Sequence, residues 1–116
     1  MNEILEQALL YDFYGELLTD HRKAIYEQFV VEDLSLSEIA ADAGISRQGV
    51  HDLVKRCQQT LEGYEAKLHL VEKFLAIREN VKEIGHVLDS CEDGTMQTPE
   101  MIKSIRMISE KIIEEL

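Results

Sequence analysis

Apolar side chains recur at intervals of three and four residues along almost the whole chain. This is the spacing of residues on one face of an α-helix. No stretch alternates apolar and polar residues as a half-buried β-strand does. The pattern therefore predicts an all-α protein.

The most specific pattern consists of two short helices around a glycine. Ser35 can cap the first helix, and Glu38, three residues later, completes a capping box. Gly44 follows, and because glycine takes a positive φ without steric cost, the chain can turn there. Ser46 can cap the second helix. The arrangement predicts a helix-turn-helix over residues 35–57. The apolar residues on the inner side of the second helix are Val50, Leu53, Val54 and Cys57.

The outer side of that second helix is polar. A helix with hydrogen-bonding side chains on its outer side suits the major groove of duplex DNA. We therefore expect a DNA-binding site, and the alternative is that the bundle keeps this geometry but binds a protein. The predicted DNA-binding residues are Ser46, Arg47, Gln48, His51, Asp52, Lys55 and Arg56.

Two further helices are predicted before the motif. Residues 2–18 form the first, with Asn2 as a candidate cap, and its apolar residues lie on more than one side, so we expect burial on more than one face. Thr19 can cap the second, over residues 20–31. With the two helices of the motif, these complete a tetrahelical bundle over residues 1–62. The predicted inner side of the second helix consists of Ala24, Ile25, Gln28 and Phe29.

The apolar stripe continues through residues 63–116 and predicts long amphipathic helices that form a C-terminal arm. We expect a bend or a restart near Gly63, a turn at 91–95, and Thr98 as the cap before Pro99. Each fully buried leucine or isoleucine contributes roughly 1.5–3 kcal/mol, so the stripe should be covered. We expect the arm to form a homodimer; the alternative is a monomer with the arm folded around the bundle.

Charge restricts how this protein could bind DNA. The chain of 116 residues has 23 acidic and 12 basic residues, and its formal net charge is −11. This sign opposes attraction to phosphate by the bulk charge of the protein. Within residues 47–61, however, Arg47, Lys55 and Arg56 stand against the single acid Asp52. Any contact with nucleic acid should therefore be local to this segment.

The sequence lacks the usual signatures of catalysis and metal binding. The 2 cysteines, Cys57 and Cys91, are far apart, and none of the 4 histidines has a second histidine or cysteine three or four residues away. We expect no enzyme activity, no cofactor and no metal. The chain also lacks a secretion signal and an apolar run of ~18 residues, the length of a membrane span. With two reduced thiols, this predicts a cytoplasmic protein without membrane contact.

Three segments resemble the YlxM family of small bacterial proteins. They are residues 11–19, which read Tyr-Asp-Phe-Tyr-Gly-Glu-Leu-Leu-Thr, and the motif segments 36–40 and 44–52. The resemblance covers about residues 5–75. It implies a helix-turn-helix module similar to region 4 of sigma factors. In that case Arg47, Gln48, His51 and Asp52 would face bases, and Lys55 and Arg56 would face phosphates.

At one position the sequence departs from the pattern that this resemblance implies, and the resemblance also leads to a second hypothesis. Gly49 lies inside the predicted recognition helix, where glycine costs about 1 kcal/mol relative to alanine. The family's genes lie beside those of the signal recognition particle, which implies a role in that pathway or in its regulation. The first hypothesis is thus a dimeric DNA-binding regulator. The alternative is a module that binds protein or RNA of the particle without sequence-specific DNA binding. The acidic net charge favours the second, and the intact polar face favours the first.

Overall fold

The structure is a computed structural model that describes residues 3–116, so the predicted cap Asn2 lies outside the described residues. Within that range the chain is helical and contains no strand, which confirms the all-α prediction. The chain divides into two compact units, Met1–Val71 and Glu72–Leu116. The helices are α1 (Glu3–Tyr14), α2 (Asp20–Val30), α3 (Leu36–Ala43), α4 (Arg47–Leu68), α5 (Leu70–Glu92) and α6 (Thr98–Glu115).

The first helix is shorter than predicted. It ends at Tyr14 and is followed by a 3₁₀ turn, Gly15–Leu17. Gly15 is needed there, because a Cβ atom at this position would lie 2.8 Å from the ring of Tyr11. One side of α1 is buried as expected, through Leu10 and Tyr14. The expected burial of a second face is not seen in the described chain, where the exposed apolar residues include Ile4, Leu5, Phe13 and Leu17.

Helix α2 buries Ile25 as predicted and partly buries Gln28 and Phe29, but Tyr26 takes the inner position expected for Ala24. Thr19 caps it by accepting a hydrogen bond from the Arg22 amide at 3.4 Å. The buried residues are Ile25 and Tyr26, and the prediction that Ala24 faces inward is wrong because this residue is exposed. A tyrosine ring buries far more apolar area than a methyl group, so the helix is oriented by Tyr26.

The helix-turn-helix forms as its local signals predicted. Ser35 and Glu38 make the reciprocal capping box, with both hydrogen bonds at 3.1 Å. Gly44 ends α3 at φ 71° and ψ 28°, in the left-handed region. The hydroxyl of Ser46 then caps α4 by accepting a hydrogen bond from the Gly49 amide at 2.9 Å. Two side-chain caps and one glycine therefore fix where both helices of the motif begin and how the chain turns between them.

Helix α4 forms the centre of the first unit. Its inward residues Val50, Val54, Cys57 and Leu61 are at most 5% exposed, and Leu53 is half-buried. These residues pack beneath α1, α2 and α3, which all contact α4. A single helix thus supplies one complete side of the core.

The break expected near Gly63 lies five residues further on. Helix α4 passes Gly63 without interruption and ends at Leu68, because His69 adopts the left-handed conformation at φ 56°. The hydroxyl of Tyr14 donates a hydrogen bond to Glu65 Oε1 at 2.5 Å and accepts one from the Leu70 amide at 3.2 Å. The same Glu65 oxygen accepts a bond from the Val71 amide at 3.0 Å. These contacts satisfy amides in the first turn of α5, which have no partner within their own helix.

The second unit consists of most of α5, a turn and α6. Gly94 takes a positive φ of 83° in the turn. The cap of α6 is Gln97 and not Thr98, which is the first helical residue. Pro99 is tolerated one position further inside because amides throughout the first turn lack helical partners. The buried apolar residues of this unit are Val87 and Ile108, whereas its exposed apolar residues include Val81, Leu88, Ile102, Met107, Ile113 and Leu116.

Two glycine-to-alanine changes should have opposite effects on stability. Gly44→Ala places a side chain in a left-handed conformation, and we expect the free energy of unfolding to fall by about 1 kcal/mol. Gly63→Ala, in the middle of α4 with no atom within 4 Å of the added Cβ, should raise it by about 0.5–1 kcal/mol. Urea unfolding of the two variants measures both effects, and changes of the same sign would contradict this account of the turn.

The buried Tyr26 hydroxyl predicts a loss of stability at high pH. Burial raises the pKa of Tyr26 to about 12, although the nearby Gln58 side chain opposes part of that rise. In the unfolded chain the pKa is about 10, so between these values the unfolded chain loses a proton that the folded chain keeps. The contribution of this group to the free energy of unfolding is therefore constant below about pH 10, and it falls by roughly 1.4 kcal/mol per pH unit between about pH 10 and about pH 12.

Tyr26→Phe should remove this part of the decline. Urea unfolding at about pH 9 and about pH 11 should show a smaller loss for the variant than for the natural chain, by about 1 kcal/mol. The measurements at the lower pH are the control, because the phenol is protonated there in both states. Equal losses in the two proteins would contradict the assignment.

Candidate nucleic-acid interface

The first three turns of α4 and its cap present every predicted site residue to solvent. Because successive helical residues are rotated by about 100°, the core stripe and the polar residues lie on different sides of α4. Within the described residues of the first unit, no side chain covers this polar side. The exposed residues are Ser46, Arg47, Gln48, His51, Asp52, Lys55 and Arg56, and we refer to them as the α4 outer face.

The three cations of the α4 outer face have unpaired head groups. Among residues 3–116, no carboxylate forms an ion pair with Arg47, Lys55 or Arg56. Lys23, near the start of α2, differs in this respect because its ammonium group contacts Glu16 at 2.6 Å. The positive charge of α4 is therefore available to an external anion, although the chain as a whole is acidic.

Asp52 lies among these cations and is held by two neighbours. The amide Nε2 of Gln48 donates a hydrogen bond to Asp52 Oδ1 at 3.0 Å, one helical turn away. The Nδ1 atom of His51 lies 3.5 Å from the same oxygen. The side chains of His51 and Asp52 are 53% and 57% exposed. The hydrogen bond from Gln48 orients a carboxylate in the middle of a face that also carries Arg47, Lys55 and Arg56.

A shallow groove of about 320 Å³ runs beside the outer face. His51 and Lys55 form its polar edge, and Gln58 extends that edge. Gln58 was not predicted as a site residue, although its spacing of seven residues from His51 places the two on one side of the helix. Phe29 and Leu36 complete the apolar wall with Val54. Because they come from α2 and α3, no spacing within α4 could have identified them.

The glycine inside the recognition helix has a structural reason. The Gly49 amide makes the capping bond to Ser46, and a Cβ atom on Gly49 would lie 3.1 Å from the Ser46 hydroxyl oxygen. A larger residue would therefore crowd the cap. Gly49 therefore preserves the hydrogen bond by which Ser46 caps α4, although glycine makes a helix less stable than alanine does.

Residues 3–116 contain no disulfide and no cluster of candidate metal ligands. Cys57 and Cys91 are free thiols, and burial raises the pKa of the Cys57 thiol. In the described part of the chain, no three histidine, cysteine or acidic side chains converge as a metal site would require. None of the helices within residues 3–116 combines the length and the apolar content needed to cross a membrane.

Comparison with known proteins supports the same structural motif. Residues 1–108 match the model of a family described as "Putative helix-turn-helix protein, YlxM / p13 like". The chain is 42% identical over 115 residues to a UPF0122 protein of Desulforamulus reducens, covering 99% of this chain and 97% of the relative. A UPF0122 protein of Acetivibrio thermocellus is 40% identical over 114 residues, with 98% and 97% covered. One from Caldanaerobacter subterraneus is 46% identical over 83 residues, with 72% and 71% covered.

Proposed function

This chain belongs to the YlxM / p13-like family of helix-turn-helix proteins, and from this premise we propose that it is a DNA-binding regulatory protein. In this proposal α4 is the recognition helix and enters the major groove of a duplex. In this proposal the protein acts by binding DNA. It catalyses no reaction, needs no metal or cofactor, and works in the cytoplasm.

The observation that carries the proposal is the exposed outer face of α4 with its unpaired cations. In helix-turn-helix proteins the first residues of the second helix reach base edges. Arg47 and Gln48 hold those positions here, directly after the cap Ser46. Lys55 and Arg56 lie two turns further along, and in this proposal they contact phosphates. Arginine and glutamine suit base edges because both offer paired hydrogen-bonding groups.

Dimerisation would strengthen the binding of a recognition helix that has few cations, because two helices would bind the same duplex together. One recognition helix contributes only three cations, and a net charge of −11 opposes binding to phosphate. A twofold dimer would present two such helices to two half-sites. The second unit supports this part of the proposal, since Ile102, Ile113 and Leu116 are more than half exposed. Apolar surface of this extent on an amphipathic helix is typical of a subunit interface.

The acidic net charge opposes binding to phosphate and so favours a protein partner, which supports a second candidate function. The same module could bind a protein or the RNA of the signal recognition particle and regulate that pathway without reading a DNA sequence. Under this alternative, the groove beside α4 would hold an apolar side chain of a partner protein. The two candidates differ in whether the outer face discriminates between duplex sequences.

Replacing Arg47 and Gln48 together by alanine should abolish sequence preference on duplex DNA. Each base contact contributes roughly 1–3 kcal/mol of discrimination, so affinity for a selected site should fall by a factor of ten or more. Selection of bound sequences from a randomised duplex pool, followed by titration at several salt concentrations, measures the effect. The control replaces Arg78 and Gln97 by alanine, which removes the same residue types from exposed positions outside α4.

Two results would contradict the DNA-binding proposal. The first is a natural protein that enriches no sequence from the pool. The second is a double variant that keeps the enriched sequence and its affinity. Co-purification with the signal recognition particle in either case would favour the second candidate function.

Light scattering should give twice the 13.3 kDa mass of one chain. Ile113→Glu places a charge on the exposed apolar side of α6 and should shift the protein towards the monomer, because a charge in an apolar interface loses its hydration. Val31→Glu makes the same kind of change at an exposed apolar residue of the first unit and should leave the mass unchanged. A natural protein that stays monomeric at high concentration would refute the dimer.

A further inference from the structure

Asp52 is an exposed acid on a face that also carries three cations, and its hydrogen bond inside the helix is to the neutral side chain of Gln48, one turn away. It is the only acidic residue between positions 47 and 61. It is the sixth residue of α4, beyond the first turn in which the helix dipole favours acids. Its exposed side chain contributes no core packing. Lys55 and Arg56 follow one turn later, yet neither forms an ion pair with it within residues 3–116.

The carboxylate of Asp52 is oriented, and part of it is free. Gln48 and His51 both approach the Oδ1 atom, at 3.0 Å and 3.5 Å. The other oxygen, Oδ2, has no partner among the described residues. The side chain therefore offers one acceptor oxygen to solvent while its neighbours hold the other. Such a held group loses less conformational entropy on binding than a freely rotating one.

The chemistry of a carboxylate restricts which base it can face. When ionised it only accepts hydrogen bonds. In the major groove, cytosine presents the N4 amino group, whereas guanine and the oxygen of thymine present acceptors that repel a carboxylate. Adenine presents an amino group too, but its N7 acceptor lies beside it. Cytosine is therefore the base that an aspartate at this position suits best.

We propose that Asp52 is a specificity-determining residue of α4, beside Arg47 and Gln48, and that it selects sites with a cytosine amino group in the major groove. This inference rests on the proposed DNA-binding function and adds the class of target sequence. The cations of α4 attract any duplex, because phosphate contacts carry no sequence information. The negative charge of Asp52 weakens this general attraction to phosphate. The loss is made up only where the carboxylate accepts a hydrogen bond from an amino group of a base. Asp52 thus acts as much by rejecting wrong sites as by binding the right one.

The test compares three proteins on one randomised duplex pool: the natural chain, Asp52→Asn and Asp42→Asn. Asp42 is exposed on α3, so its change alters the charge equally but leaves the outer face intact. The natural chain and Asp42→Asn should enrich sites with cytosine at a fixed position. Exchange of that base should lower their affinity roughly 5- to 150-fold. Asp52→Asn should lose this preference, favour adenine instead, and bind unselected DNA more tightly.

A chemical probe isolates the amino group itself. A duplex with 2-pyrimidinone in place of the selected cytosine lacks only the 4-amino group. The natural chain should bind this duplex more weakly than the duplex with cytosine. The Asp52→Asn variant should bind both duplexes with the same affinity. Circular dichroism of each variant verifies that its helices are intact.

The outcomes separate this inference from the proposed function. If Asp52→Asn keeps the cytosine preference, or if the natural chain tolerates the probe, the role of Asp52 is overturned while DNA binding stands. If the natural chain enriches no sequence at all, the proposed function fails and the inference fails with it.

Discussion

Burial of one side of α4 is the constraint on which the rest of the first unit depends. Val50, Val54, Cys57 and Leu61 are packed with almost no exposure, and together they fix the rotation of the helix about its axis. A rotation by one residue, about 100°, would move polar residues into the core and apolar ones into water. The core therefore determines which side chains α4 can offer to a partner, although no core residue would touch that partner.

Local signals in the sequence were sufficient to predict the helix-turn-helix. The Ser35–Glu38 capping box, the left-handed Gly44 and the Ser46 cap each depend on residues within a few positions of one another. Their geometry follows from short-range sterics and hydrogen bonding, which sequence spacing describes well. The exposed outer face of α4 follows from the same helical period. For these reasons most of the candidate site could be listed before the fold was known.

The features that were mispredicted depend on contacts between distant residues. Tyr26 displaced Ala24 from the inner side of α2 because of the rings around it, with Tyr11 at 5.9 Å and Phe29 at 6.4 Å between ring centroids. Helix α4 ends at Leu68 and not near Gly63, and Tyr14 and Glu65 satisfy the amides of Leu70 and Val71 that follow. The groove lining from α2 and α3 was likewise missed. Spacing along one helix contains no information about which side chain of another helix approaches it.

The hydrogen bond from the Leu70 amide to Tyr14 joins residues that are 56 positions apart in the chain. Leu70 is the first residue of α5, and the first unit ends one residue later, at Val71. During translation the N-terminal part of a chain emerges first and can fold before the remainder is made. The bundle would therefore have all its own contacts as soon as residue 71 has left the ribosome. Its completion would not wait for the synthesis of α6.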